Sequence, residues 1–236
     1  MRGLAARVAG SMAAATVAPL ADALPEGSLV VDIGAGTGLR ARALAAHGYQ
    51  VIALEPDPLE EMRAHVELTG TTAEVHRAGA DDLIDVLDGR LADGVLMWHV
   101  LEHLEAPDSA LATVASAMRD GGLLSVAVPN RASLDAQVFG DRWHSWEPSR
   151  HRWHFDERSL RLVLGASGFS VRDISPRGGW GYPSSLAFSL APGLDPQVHP
   201  ARSMAGRAFA AAMIPAALGA RMAGRGSQLV TVASRS

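Results

Sequence analysis

Short runs of β-branched residues alternate with helix-forming stretches along most of this chain. That rhythm requires a mostly parallel sheet with helices on both faces, because each parallel strand must be reached by a crossover. The pattern predicts strands at Leu29–Ile33, Gln50–Leu54, Ala73–His76, Gly94–Trp98, Leu123–Val128 and Phe169–Ile174, with a last one at Gln228–Ala233. Helices are expected at 2–23, Leu39–His47, Pro58–Leu68, Asp81–Leu87, Asp108–Met118 and Glu157–Ala166. Gly48, Gly70, Gly121 with Gly122, and Gly168 stand where helices should stop. Residues 175–227, rich in Gly, Pro, Ala and Ser, read as an insertion before the last strand. A chain of 236 residues is then a single domain, 1–236.

Composition removes several chemistries. Without cysteine there are no disulfides, thiolate metal sites or thiol nucleophiles. All 21 basic residues are arginine, so neither a Schiff-base lysine nor a phosphate-loop lysine exists. A net charge of −4 offers no global field for nucleic acid. No apolar run approaches the roughly 20 residues of a spanning helix. The alanine-rich start reads as a helix packed on the first strand rather than a signal peptide, so the expected compartment is the cytoplasm.

The sharpest motif is Val30-Val31-Asp32-Ile33-Gly34-Ala35-Gly36-Thr37-Gly38. Three alternating glycines at a strand exit let the backbone turn and approach a ligand closely. The dinucleotide fingerprint needs its third glycine where Leu39 stands; the register Gly36-x-Gly38-x-x-Ala41 displaces it from the strand end. Asp32, beside the turn, would repel a diphosphate and favour a ligand carrying an ammonium group. S-adenosylmethionine has an ammonium, a sulfonium and no phosphate. Glu55, at the end of the second predicted strand, is placed to accept hydrogen bonds from ribose hydroxyls.

These residues, with Asp93-Gly94-Val95-Leu96-Met97-Trp98-His99-Val100-Leu101-Glu102-His103 and Gly121-Gly122, resemble the class I S-adenosylmethionine-dependent methyltransferases. Within that class they are most similar to the ubiquinone-biosynthesis O-methyltransferases and to natural-product and glycan methyltransferases. The resemblance implies a Rossmann-like seven-stranded sheet of six parallel strands and one antiparallel C-terminal strand. It also implies that Gly34, Gly36 and Gly38 lie against the amino-acid part of the cofactor, that Asp32 faces its ammonium, and that Glu55 binds its ribose. Trp98 and His99 would line the same pocket. The family's adenine-binding acid is missing at Ala78-Gly79, and Asp81 is the substitute or else a helix cap.

His99-Val100-Leu101-Glu102-His103 also spells H-x-x-E-H, a zinc pattern in other folds. In ubiquinone-type relatives the matching E-x-x-E-H can hold a divalent metal; here His99 replaces the first acid. The reading adopted is no metal, with Glu102 and His103 in local hydrogen bonds. A second cluster, Trp143 to Phe155, holds His144, His151 and His154 among three tryptophans and follows the fifth predicted strand. Tryptophans can wall an acceptor ring, and a histidine can take its hydroxyl proton. His151 is the first candidate base, with His144 and His154 behind it; loop anchoring is the competing role.

From Pro196 onward there is no acid, and Arg202, Arg207, Arg221, Arg225 and Arg235 flank an apolar stretch. A cap over the acceptor pocket is the preferred role for this insertion; peripheral membrane contact through 201–225 is the alternative. The function expected is transfer of a methyl group to a small-molecule acceptor, most naturally at oxygen. The alternatives are an NAD(P)-dependent oxidoreductase and a non-catalytic cofactor-binding member of the fold. No feature fixes the oligomeric state.

Overall fold

A computed structural model describes residues 2–177, Pro215, Gly219 and 222–236. The elements run α1 (Arg2–Ala21), β1 (Leu29–Ile33), α2 (Leu39–Ala46), β2 (Gln50–Leu54), α3 (Pro58–Glu67), β3 (Glu74–His76), α4 (Leu83–Leu87), β4 (Ala92–Trp98) and α5 (Pro107–Ser116). They continue with β5 (Met118–Pro129), α6 (Leu134–Phe139), α7 (Glu157–Ala166), β6 (Phe169–Arg177) and β7 (Gln228–Arg235). The seven strands lie in the order β3-β2-β1-β4-β5-β7-β6, and only β7 runs antiparallel to its neighbours. The sheet is the Rossmann-like one expected.

Two buried clusters cover the two faces. Val31, Ile33, Leu54, Met97 and Val126 face α4, α5 and α7, whose Leu83, Leu111, Leu160 and Leu164 fill the gap. Val30, Val51, Ala53 and Leu96 face the other way, against Val17 and Leu20 of α1 and Ala41 and Leu44 of α2. Strands buried on both faces need apolar residues in succession rather than in alternation. All five residues of β1 are buried accordingly.

The chain leaves β1 for β2 on one side and later returns to β4 on the other. β1 is therefore bordered by the topological switch point, where the C-terminal strand ends leave a crevice. Registers Ile33↔Leu54 and Ile33↔Met97 bring Gly34, Glu55 and Trp98 to that same edge. Pro129↔Gln228 brings the end of β5 and the start of β7 there too.

Three expectations shift. β5 begins at Met118, not Leu123, and runs through Gly121 and Gly122. Its pairing jumps from Ala92↔Met118 to Gly94↔Leu123, so these glycines make a bulge rather than a helix stop. A Cβ on Gly122 would lie 2.9 Å from the carbonyl oxygen of Arg119. The helix expected at Asp81–Leu87 starts instead as a 3-10 turn, Ala80–Asp82, leading into α4. α6, capped by the Ser133 hydroxyl on the Ala136 N–H, was not expected.

Much of the 175–227 insertion, including the stretch read as cap or membrane contact, lies outside the described residues. Its first residues extend β6 to Arg177. Its last ones lie across the β5 exit: Asn130 donates its side-chain N–H to Gly226 O and its backbone N–H to Ser227 O. Among the described residues no helix is long and apolar enough to cross a membrane.

Candidate active site

The glycine turn is tied to β2 at both ends of its first half. Gly34 and Ala35 donate their backbone N–H groups to Leu54 O at 2.8 and 3.0 Å. The Glu55 carboxylate accepts from Gly36 N at 2.7 Å and from Asp57 N at 2.9 Å, so one buried acid pins the turn and the start of α3 together. Asp57 caps α3, accepting from Leu59 and Glu60. Gly34, Gly36 and Gly38 have φ of 71°, 55° and 81°, the left-handed region that favours glycine. A Cβ on Gly36 would meet nothing within 4 Å, so there is open space beside the turn at that residue.

Gly34 is constrained differently. A Cβ there would sit 2.4 Å from a methyl of Val100. Gly34→Ala is expected to cost about 2–3 kcal/mol from that overlap and the unfavourable φ. A lowered urea midpoint would show it, whereas an unchanged one would mean that the β4 exit loop yields freely.

Asp32 is the unusual group. It is fully buried, and neither carboxylate oxygen has a hydrogen-bond partner. Burial pushes its pKa up to about 7, against the pull of the Arg40 guanidinium and the weaker pull of the Ala41 backbone N–H, which lies outside good hydrogen-bond geometry. An orphaned buried carboxylate costs the fold free energy unless a donor or cation reaches it. Arg40, which sequence reading missed, lies 5.5 Å from the centre of the half-buried Trp98 ring. Burial lowers its pKa while Asp32 supports its charge. Its position carried a signal: a cation in the first turn of α2 opposes the helix dipole and so calls for a partner elsewhere.

Asp81 is exposed; its neighbour Asp82 accepts the N–H of Gly79 at 2.8 Å and takes the capping role instead. His99 has φ of 58°, with Nδ1 at 3.0 Å from Glu102 Oε1 and Nε2 at 3.2 Å from Gln228 Oε1. It therefore bridges the β4 exit to the start of β7. Burial raises the Glu102 carboxyl, but the hydrogen bond and charge of His99 outweigh it, leaving a pKa below the ordinary carboxylate range.

The aromatic loop docks onto this exit. Arg152 and Trp153 donate backbone N–H groups to Glu102 O, and the Trp153 indole donates to Leu104 O. His103 Nδ1 donates to Arg150 O at 3.1 Å. His151 is buried, with Nδ1 donating to Ser145 O at 2.8 Å and Nε2 at 3.2 Å from Glu147 Oε2. Burial holds its pKa below that of a free imidazole. His154 Nε2 donates to Trp146 O at 2.9 Å. His144 is half-buried in the 3-10 turn His144–Trp146. Two buried acids here were not legible: Glu147, held at φ 33°, and Asp135, which accepts from the Trp143 indole at 3.0 Å. A left-handed backbone at a non-glycine residue is strained and is a signal only coordinates supply.

A glycine turn at the exit of a central strand, flanked by one acid and faced by another from the next strand, defines a nucleoside-binding α/β domain. The chain belongs to the methyltransferase domain family, whose profile matches residues 5–174. It is 31% identical over 171 residues to the ubiquinone biosynthesis O-methyltransferase of Methylocella silvestris, covering 66% of this chain and 65% of that one. It is 30% identical over 156 residues to the protein of that name from Rhizobium etli, covering 63% and 62%. The chain thus matches just under two thirds of the length of these relatives. Its fold is also that of a SAM-dependent methyltransferase from Archaeoglobus fulgidus (TM-score 0.64, 17% identity, 96% and 94% of the two chains). A magnesium protoporphyrin IX methyltransferase from Synechocystis, solved with bound SAH, aligns at TM-score 0.61 and 18% identity over 98% and 83%.

Proposed function

We propose that this protein transfers the methyl group of S-adenosylmethionine to a hydroxyl oxygen of a small-molecule acceptor. One observation carries the cofactor assignment: Asp32, fully buried beside the glycine turn with neither carboxylate oxygen hydrogen-bonded and only the Arg40 guanidinium to offset its charge. A carboxylate in that setting matches the ammonium of a phosphate-free amino-acid nucleoside and opposes the diphosphate of NAD. In this reading Asp32 holds the ammonium, and Gly34, Gly36 and Gly38 let the backbone close on the amino-acid end. Glu55 keeps acceptor capacity for ribose hydroxyls after taking two N–H groups. Trp98 and His99 border the crevice, and Asp81 is free to turn toward the base. The bound cofactor supplies a methyl group already activated on sulfur, so orienting the acceptor can provide most of the acceleration.

The loop from Trp143 to Phe155 is assigned to the acceptor. Its tryptophans supply apolar walls and its histidines the means to take a hydroxyl proton. Among these, hydrogen bonding favours His154 as the proton acceptor. Its Nε2–H is spent on Trp146 O, leaving a lone pair on Nδ1, whereas the Nε2 of His151 is turned toward Glu147. Oxygen as the acceptor atom draws support from the names of the relatives above.

The decisive assay incubates the protein with isotopically labelled methyl donor and extracts of the producing cells, and identifies the labelled product by mass spectrometry. A methylated small molecule is expected. Labelling of nothing, with S-adenosylhomocysteine still bound, would favour a non-catalytic member of the fold. His154→Gln is expected to lower turnover 10²- to 10⁴-fold, the worth of a positioned base, while leaving cofactor affinity unchanged. Unchanged turnover would reduce His154 to a strut for the loop.

A further inference from the structure

Arg40 carries a charge that the fold itself does not use. It stands in the first turn of α2, just past Gly38, where a cation opposes the helix dipole. Its guanidinium lies 5.5 Å from the centre of the Trp98 ring, a face contact that satisfies none of its N–H donors. Among the described residues no hydrogen bond or ion pair holds it. Asp32 and Arg40 act on each other through space without closing into an ion pair. Two oppositely charged groups, each short of a partner, thus stand side by side. Trp98 ends β4 next to the register pair Ile33↔Met97, so the contact with its ring places the guanidinium at the strand edge that Gly34 shares. The neighbouring elements bring no other charge. α1 packs on α2 and has no charged residue from Val8 to Ala21, and no side chain caps α2.

We propose that Arg40 binds the carboxylate of the cofactor's amino-acid end while Asp32 binds its ammonium, an inference that rests on the cofactor assignment above and deepens it. A free amino-acid end is a zwitterion with both charges on one carbon, so a matching site needs an anion and a cation together. Asp32 alone would accept any amine. Arg40 adds a planar fork of donors suited to a carboxylate, and stacking on Trp98 holds that fork in place. In the empty protein each charge partly offsets the other; on binding, each receives a partner of its own. The site therefore selects the intact amino-acid end over a decarboxylated one, which would leave the guanidinium unpaired.

Calorimetric titration of the full chain with S-adenosylhomocysteine, and with its decarboxylated analogue that keeps the ammonium, tests this role. The parent should prefer S-adenosylhomocysteine by about fiftyfold, the worth of a charge-assisted forked contact. Arg40→Met keeps an apolar stem over Trp98 and removes the charge. It should cut that preference to about fivefold or less, chiefly by weakening S-adenosylhomocysteine. Arg40→Lys restores a point charge without the fork; its preference should fall between the two, which also guards against a folding defect in the methionine variant. A parent that binds both ligands equally would overturn the proposal, as would a preference undiminished in Arg40→Met. Either result would leave the cofactor assignment standing. Failure of the parent to bind either ligand would remove that assignment, and the role of Arg40 with it.

Discussion

Asp32→Asn should make the empty protein more stable at pH 8 while removing its hold on S-adenosylmethionine. The sign follows from the proton count. With a folded pKa of about 7 against an ordinary value of 3.8, the folded chain binds more protons than the unfolded one between those limits. Stability therefore falls as pH rises from about 4 to about 7 and is flat above. Three pKa units correspond to about 4 kcal/mol, an upper bound on the cost of keeping the carboxylate ionised in the empty site. Asparagine imitates the neutral acid at every pH. The variant should match the parent near pH 4 and exceed it by about 2–4 kcal/mol at pH 8 in chemical unfolding. Its affinity for S-adenosylhomocysteine should fall at least a hundredfold, about 3 kcal/mol, because the ammonium loses a desolvated counter-charge. Stability and binding would then move in opposite directions, as they do when a site stores unfavourable free energy for its ligand. A variant that loses both would make Asp32 an ordinary structural acid.

Glu55→Ala should move stability and binding the same way. Its carboxylate holds the N–H groups of Gly36 and Asp57, and charge-assisted bonds of this kind contribute about 1.5–3 kcal/mol each. Truncation leaves both donors unmatched. A loss of about 3 kcal/mol in stability is expected, together with a fall of at least a hundredfold in cofactor affinity, since the turn loosens and the ribose acceptor disappears. Glu55→Gln should recover part of each: its amide oxygen can accept one N–H while its NH₂ opposes the other. If alanine weakens stability and leaves affinity alone, Glu55 is only a staple between β1 and β2.

These two acids stand out in the sequence because local signals mark them. Asp32 lies inside a β-branched run where no charge belongs, and Glu55 ends the next run. Strands β1 and β2 were legible to the residue for the same reason, since continuous apolar runs bounded by turn residues leave little choice of limits. The start of β5 was not. Gly121 and Gly122 look like a helix stop, and only the opposing strand reveals the bulge they make. α6 has six residues, too few to show a period, although Ser133 marked its start. The loop histidines were visible as a cluster, but their partners were not. Ser145, Glu147 and Arg150 meet His151 and His103 through a loop path that no periodicity encodes. Arg40 is the same kind of miss, since its aromatic contact depends on Trp98 arriving from β4.

Proton release on binding bears most directly on the pairing of Asp32 with an ammonium. S-adenosylhomocysteine should be titrated calorimetrically into the unmodified protein at pH 6 and pH 8, each in two buffers of different ionisation heat. At pH 6 the empty site holds its proton on Asp32, and the arriving ammonium must expel it. About 0.9 of a proton per ligand is therefore expected at pH 6 and close to none at pH 8, with affinity rising about fivefold from pH 6 to 7 and about tenfold by pH 8. Equal heats in both buffers at pH 6, with an affinity indifferent to pH, would contradict the account.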